Sequence, residues 1–256
     1  MKDFLYSIRR QIKKITRFDM YTMTVLQLLA PVWLIVGAMS SAEWYWWLVA
    51  LFFYFMHTGV GHNVGLHRYY THRNFEMSKW TECFVLYFSV LSCFGSPATY
   101  AGVHSVHHKY SDTPLDPHGR HRGLRSVIYY FHRRLEPDDI MVSKRIIELV
   151  KRFKWLHEYY WAVLSVNALI LYLISWKALL FCWLIPSSLC LWCIGVVLLM
   201  QHDANGANNS RAYMTFGCGE GWHKNHHLNP NVADNADPGK IDWTYRLCKI
   251  FAKKVY

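Results

Sequence analysis

At 256 residues the chain has room for one domain with a large buried volume. Its net charge of +11 suits either nucleic acid or anionic lipid, but the basic residues lie beside long apolar runs, which argues against nucleic acid and for a membrane surface. The seven cysteines follow no disulfide framework, and Cys190 and Cys193 lie inside an apolar run, where they read as packing thiols.

Residues 1–20 read as a basic amphipathic helix. Phe4, Leu5, Ile8, Ile12 and Ile15 recur at helical spacing, with Arg9, Arg10, Lys13, Lys14 and Arg17 between them. Such a helix suits an anionic leaflet, and its charge marks this end as cytoplasmic. Residues 22–40 form the first apolar run long enough to span. Small residues at Gly37–Ala42 resemble a cleavage site, but the long basic leader and the run that follows favour an uncleaved anchor. The second run, about 44–64, opens with Trp44, Trp46 and Trp47 and returns the chain to the cytoplasm at His67 and His72. His57 and His62 lie within it and read as hydrogen-bonded interior histidines. Residues five apart are about 140° apart on an α-helix, so His57, His62 and His67 cannot share a face there. If His67 and His72 both bind metal, the helix ends or kinks between them, or they serve different sites.

Residues 82–97 are apolar but short. A spanning segment here would put the next histidines on the wrong side, so a re-entrant or interfacial element buried against protein is expected. His104, His107 and His108 follow at i, i+3 and i+4. A polar stretch then carries Asp112, Asp116, His118, His121 and the basic group Arg120, Arg122 and Arg125. Residues 127–154 read as a cytoplasmic or interfacial cap. Two more spans, about 156–175 and 178–200, lead to His202. Gly219-Glu220-Gly221-Trp222 introduces His223, His226 and His227, again at i, i+3 and i+4. Ile241–Val255 reads as a further basic interfacial helix, and Lys253-Lys254 matches a dilysine retrieval signal. The expected architecture is an all-α membrane protein in a single domain, 1–256, with four transmembrane helices and a cytosolic helical cap that holds a histidine-rich dimetal site.

Positions i, i+3 and i+4 of a helix lie on one side, so each triplet can converge. Neutral imidazole binds iron, zinc and copper well. Eight histidines in three groups exceed what one tetrahedral zinc uses, and two metal ions account for them. The adjacent pair in each triplet points about 100° apart, so one member can face each metal. His202 is the candidate ninth ligand, and Asp112, Asp116 and Glu220 are candidate acceptors for ring N–H groups. A metal transporter would place polar ligands deep within the spans, whereas most of these histidines gather at one end.

The order HxxxxH, HxxHH, HxxHH with a GEGWHxxHH ending resembles the integral-membrane acyl-CoA/acyl-lipid Δ9 fatty acid desaturases. Gly65 to Arg73 resembles the first histidine box, His104 to His118 the second, and Gly219 to His227 the third. The resemblance implies a di-iron centre with two Fe2+ ions and O2 as co-substrate. Its ligands would be His67, His72, His104, His107, His108, His223, His226 and His227, with His202 in an extra slot. Family members often carry Asn four residues before that histidine, holding a metal-bound water. Leu198 stands there in this chain, and Asn205 is the candidate replacement. Downstream of the third box the chain has Leu228-Asn229-Pro230 where a Phe-Pro ending is common.

The implied reaction removes two hydrogens from a methylene pair of a fatty acyl chain carried on CoA or a membrane lipid. The tunnel end would lie near Phe55 and Gly59. No flavin, nicotinamide or cytochrome b5 motif is present, so electrons would come from an external carrier such as ferredoxin or cytochrome b5. A fatty acyl hydroxylase or alkane monooxygenase shares the boxes, and a haem cytochrome needs paired histidines at matched depths.

Overall fold

The computed structural model describes residues 2–118, 120–129, 132–140 and 142–256, with the side chains of residues 2–4, 11–19, 121, 122 and 137 outside the described set. Of the residues named above, Phe4, Ile12, Lys13, Lys14, Ile15, Arg17, His121 and Arg122 therefore have no described side chain.

The chain is mostly helical. Helix α1 (Lys2–Leu28) runs through Leu29 into α2 (Ala30–Met39). Pro31 has no N–H, so it leaves the carbonyl of Gln27 without its helical partner. The indole of Trp192 donates to that carbonyl at 2.7 Å and ties this rod to a later helix. The Gln27 side chain donates to Val127 O at 2.7 Å. Ile8, on the apolar side of the amphipathic start of α1, is 3% exposed and so packs on protein.

Helix α3 (Tyr45–Phe55) continues without a break into sixteen residues of π-helix, Met56–Thr71. Its outer half presents Leu48, Leu51 and Phe52 to the surroundings, whereas nearly all of Met56–Tyr70 is buried. The expected helix end between His67 and His72 falls at Thr71, and the winding that leads to it is π rather than α. Its i→i+5 bonds, such as His72 N–H to His67 O at 3.2 Å, bring residues five apart onto nearly one face. A β-carbon on Gly61 would meet the backbone carbonyl of Phe88, so only glycine lets the next helix lie this close.

That helix, α4 (Lys79–Leu91), has thirteen residues, about 20 Å at 1.5 Å per residue, too short to cross a 30 Å hydrocarbon layer. Ser78 caps it, accepting from Thr81 N–H at 3.1 Å. Its outer side exposes Trp80, Phe84 and Tyr87, while Val85, Phe88 and Ser89 are buried against the π segment. The chain turns through Cys93 and Gly95, both at positive φ, into α5 (Pro97–Tyr110), which Ser96 caps with Pro97 in its first turn.

A 3₁₀ segment (Arg120–Val127) packs on the later helix Ile185–Met200, and two short helices, α6 (Lys144–Arg152) and α7 (Lys154–Glu158), cover α5. Helix α8 (Tyr160–Ile174) is apolar but has only fifteen residues. Helix α9 (Trp176–Leu179), a π turn (Leu180–Leu184) and α10 (Ile185–Met200) form one rod of 25 residues. Among the described residues, Met20–Met39 and Trp176–Met200 have the length and hydropathy to cross a bilayer.

Strands β1 (Phe75–Met77) and β4 (Ala252–Val255) pair antiparallel, and β2 (His202–Asp203) pairs with β3 (Gly206–Ala207). Helices α11 (Arg211–Phe216), α12 (His223–Leu228) and α13 (Trp243–Phe251) complete the chain. The expected helix over Ile241–Val255 thus ends at Phe251. The last turn is given up because β1, just after His72, offers a strand partner, and this places Lys253 and Lys254 within β4.

Candidate metal centre

Three helical segments and one strand deliver the nine candidate ligands. The π segment brings His67 and His72 together, with ring centroids 5.0 Å apart. Helix α5 carries His104 and His108 on one side and turns His107 to another. Helix α12 follows the same pattern, so that His223 and His227 share a side and His226 stands apart. The result is two groups whose ligand atoms each lie within 4.8 Å of one another: His67, His72, His104, His108 and His226 form one, and His107, His202, His223 and His227 form the other. Each HxxHH triplet contributes to both groups, as the 100° step between adjacent residues requires. His202 is brought in by β2 at the end of α10, so it reaches the second group despite lying outside the three boxes.

The carboxylates fix ring orientation. Asp116 accepts from His107 Nδ1 at 2.9 Å, and Asp112 accepts from His202 Nδ1 at 3.0 Å. Glu220 Oε1 lies 3.2 Å from His67 Nδ1. Glu220 is held in turn by Arg68, whose guanidinium is 3.5 Å from that carboxylate and 3.5 Å from Asp242, all three groups being buried. Gly219 makes this possible: it sits at φ +112°, and a β-carbon there would press on Thr244 N at 2.5 Å. Asn205 is exposed in the β2–β3 turn, with its N–H on Asp203 Oδ1, and is not brought into either group.

The donor sets suit metal ions. Because carboxylates only accept, Asp112 and Asp116 hold His202 and His107 as Nδ1–H tautomers, and their Nε2 atoms are lone pairs. His202 Nε2 nevertheless lies 2.9 Å from His223 Nε2, which lies 3.1 Å from His227 Nε2. In the larger group, His226 Nε2 is 2.9 Å from His67 Nε2 and 3.1 Å from His108 Nε2, which is 3.0 Å from His104 Nε2. Lone pairs converging at this range repel unless a proton or a metal cation lies between them.

Burial also keeps the rings neutral. Desolvation lowers the pKa of His67, His72, His104, His107, His223 and His226 well below the usual imidazole value, and that of His108 to about 4. Neutral imidazole is the ligand form.

An apolar cavity opens against the centre. Phe94, Val103, Tyr129, Ile194, Val197 and Leu198 line it, and His67, His104, His223 and Glu220 close it on the side of the histidine groups. The Leu198 side chain therefore adds apolar wall where the family pattern has an amide. Phe55 and Gly59 are not among its lining residues. Gly59 is buried with the Phe55 ring 3.3 Å from its β-carbon position. The cavity walls also include four residues not singled out as site candidates from the sequence: His62, Tyr100, His118 and His132. His62 and His57 are hydrogen-bonded interior histidines, as their place in an apolar run implied.

These features define a helical protein with a paired metal-binding centre at the head of an apolar cavity. A family model described as fatty acid desaturase matches residues 42–236. The chain is 31% identical over 204 residues to an sn-1 stearoyl-lipid 9-desaturase of Anabaena variabilis, covering 73% of each chain. It is 27% identical to an sn-2 palmitoyl-lipid 9-desaturase of Nostoc sp. (strain 36), covering 72% of this chain and 70% of that one. It is also 27% identical to an acyl-CoA C20 Delta5-desaturase of Anemone leveillei, covering 83% of this chain and 73% of that one. The chain belongs to the fatty acid desaturase family, and it is a membrane-associated enzyme that desaturates fatty acyl chains.

Proposed function

We propose that the enzyme introduces a Δ9 double bond into a fatty acyl chain, using O2 and two Fe2+ ions. The observation that carries this reading is the pair of histidine groups, five and four, with His67, His104 and His223 of them lining an apolar cavity. His67, His72, His104, His108 and His226 would hold one iron, and His107, His202, His223 and His227 the other. Bound iron supplies the O2-derived oxidant needed to break unactivated C–H bonds. One group offers five imidazoles, more than a tetrahedral zinc site uses, which favours iron.

The protein supplies position and dryness. A saturated chain has no polar handle at mid-length, so only the cavity walls can register one methylene pair against the centre. Asp112, Asp116 and Glu220 orient His202, His107 and His67. Deeper on the same helical rod, Phe55 and Gly59 are the proposed chain-length stop. Gly59→Phe is then expected to shift product toward shorter acyl chains, and an unchanged chain-length profile would remove both residues from that role.

The proposed topology has four spans, about 22–40, 44–64, 156–175 and 178–200, with the centre on the cytosolic side. The convergence of all three histidine boxes supports one-sidedness, and the short α4 is consistent with a segment that does not cross. The names of the relatives support both acyl-lipid and acyl-CoA carriers and favour position 9. The electron donor is proposed to be an external carrier, ferredoxin or cytochrome b5.

The test is the fatty-acid profile of a desaturase-deficient host expressing the chain with a matching electron donor, double bonds being located by mass spectrometry. A new Δ9 monoene, absent from a His107→Ala/His226→Ala control, is expected. A monoene at another position would revise the regiochemistry. A hydroxylated product, or no product from iron-loaded protein with its donor, would overturn the reading.

A further inference from the structure

His62 stands beside the centre without joining either histidine group. It is 4% exposed, and its ring lies 6.4 Å from that of His67. Its protonation pattern follows from its neighbours. Asn63 Nδ2 donates to Gly217 O at 2.7 Å, so the other amide atom, Oδ1, is the acceptor that faces His62 Nδ1 at 2.8 Å. His62 is therefore the Nδ1–H tautomer, and its Nε2 carries a lone pair. The Tyr100 hydroxyl lies 3.0 Å from that Nε2 and donates to it. The ring of Tyr100 stacks on His104 of the five-histidine group, with centroids 5.4 Å apart and planes 18° from parallel. Both Tyr100 and His62 line the apolar cavity.

This arrangement has a specific chemical use. A phenol that loses an electron also loses its proton, and in a dry site an unplaced proton is costly. Tyr100 has a base already in contact. Tyr129, which lines the same cavity, has a buried hydroxyl with no hydrogen-bond partner among the described residues, so the same oxidation there has no proton acceptor.

We propose that Tyr100 and His62 form a redox-active pair that discharges the iron centre when no acyl chain fills the cavity. The proposal rests on the iron and O2 reading above. Tyr100 gives one electron to the O2-derived oxidant, and its O–H bond breaks. The proton crosses the hydrogen bond to His62 Nε2, leaving a neutral phenoxyl radical and an imidazolium that keeps its Nδ1–H on Asn63. One electron from the external carrier then reduces the phenoxyl, and the proton returns from His62; a second turn of the cycle supplies the other of the two electrons an acyl chain would have given, and the reduced oxygen takes its two protons from solvent and leaves as water. Without this route the oxidant would attack its own ligands or the cavity wall.

The test uses the full chain in detergent, iron-loaded and chemically reduced, then mixed with O2 in the absence of acyl lipid and freeze-quenched. Iron content and O2 uptake are recorded with the electron paramagnetic resonance spectrum. An organic radical is expected whose splittings collapse when the protein carries ring-deuterated tyrosine. It should vanish in Tyr100→Phe and be strongly diminished in His62→Gln, which keeps a hydrogen-bond acceptor but not a base. Ring-deuterated tyrosine inserted at position 100 alone, with chemically charged suppressor tRNA, leaves the sequence unchanged and decides the matter if either variant loads no iron: splittings that do not change there would overturn the proposal. O2 uptake without a tyrosyl signal, or a signal that persists in iron-loaded Tyr100→Phe, would overturn this proposal and leave the desaturase centre standing. Fully iron-loaded protein that takes up no O2 would overturn both.

Discussion

Asp112 and Asp116 lie four residues apart, yet each fixes a different histidine, His202 and His107, of the same group. Each carboxylate selects the tautomer whose Nε2 lone pair faces the centre. Asp116→Asn is expected to lower metal affinity about 10–100-fold, measured by chelator competition against bound iron. Unchanged affinity would mean that packing alone orients His107. Burial has a second consequence at this scale. The His108 pKa falls to about 4 from an ordinary 6.5, so the unfolded chain takes up the proton first as pH falls. The stability that His108 contributes is present above about pH 6.5 and is lost as pH falls from there to about 4. Melts of the metal-free chain should show Tm dropping through that window, and a flat Tm would contradict the assignment.

The π segment decides the geometry at the scale of elements. On an α-helix, residues five apart diverge, and His67 and His72 would face different sites. With i→i+5 bonding they share one. The segment is held in place by α4, through Ser89 Oγ on Gly61 O at 2.9 Å and the close approach at Gly61 itself. Gly61→Ala should cost about 1–3 kcal/mol by overpacking, seen as a lower Tm, and should reduce iron content by displacing His67. A variant that retains wild-type Tm would show that α4 can move away freely. Helix α12 is legible in the sequence as an HxxHH helix. The strand at Ala252–Val255 is not, because its partner is 175 or more residues away and no local pattern records it.

Across the whole molecule, the centre joins the π segment, α5, the end of α10 and α12, which no backbone ladder joins to one another. Metal binding should therefore act as a staple. Fe2+ at 100 times its dissociation constant should add about 2.7 kcal/mol per site if only the folded chain binds it. This is read as a rise in Tm on adding Fe2+ to metal-free protein, with a smaller rise for His107→Ala, which damages one group and spares the other. An equal rise in that variant would mean that the second group holds no metal.

The sequence by itself determined the chemistry of this protein. Histidine at i, i+3 and i+4 is a local pattern, an apolar run long enough to cross a bilayer is a local pattern, and the order of the two was sufficient to recognise the family and name the ligand candidates. Tertiary structure decided how the histidines divide into five and four, which carboxylate holds which ring, and that His62 meets Tyr100. Those outcomes depend on helix winding and on contacts such as Asp112 with His202, 90 residues apart, and Arg68 with Asp242, 174 apart. The reason is physical: helical periodicity constrains only near neighbours, whereas the partner of a buried polar group is fixed by whichever distant element packs against it.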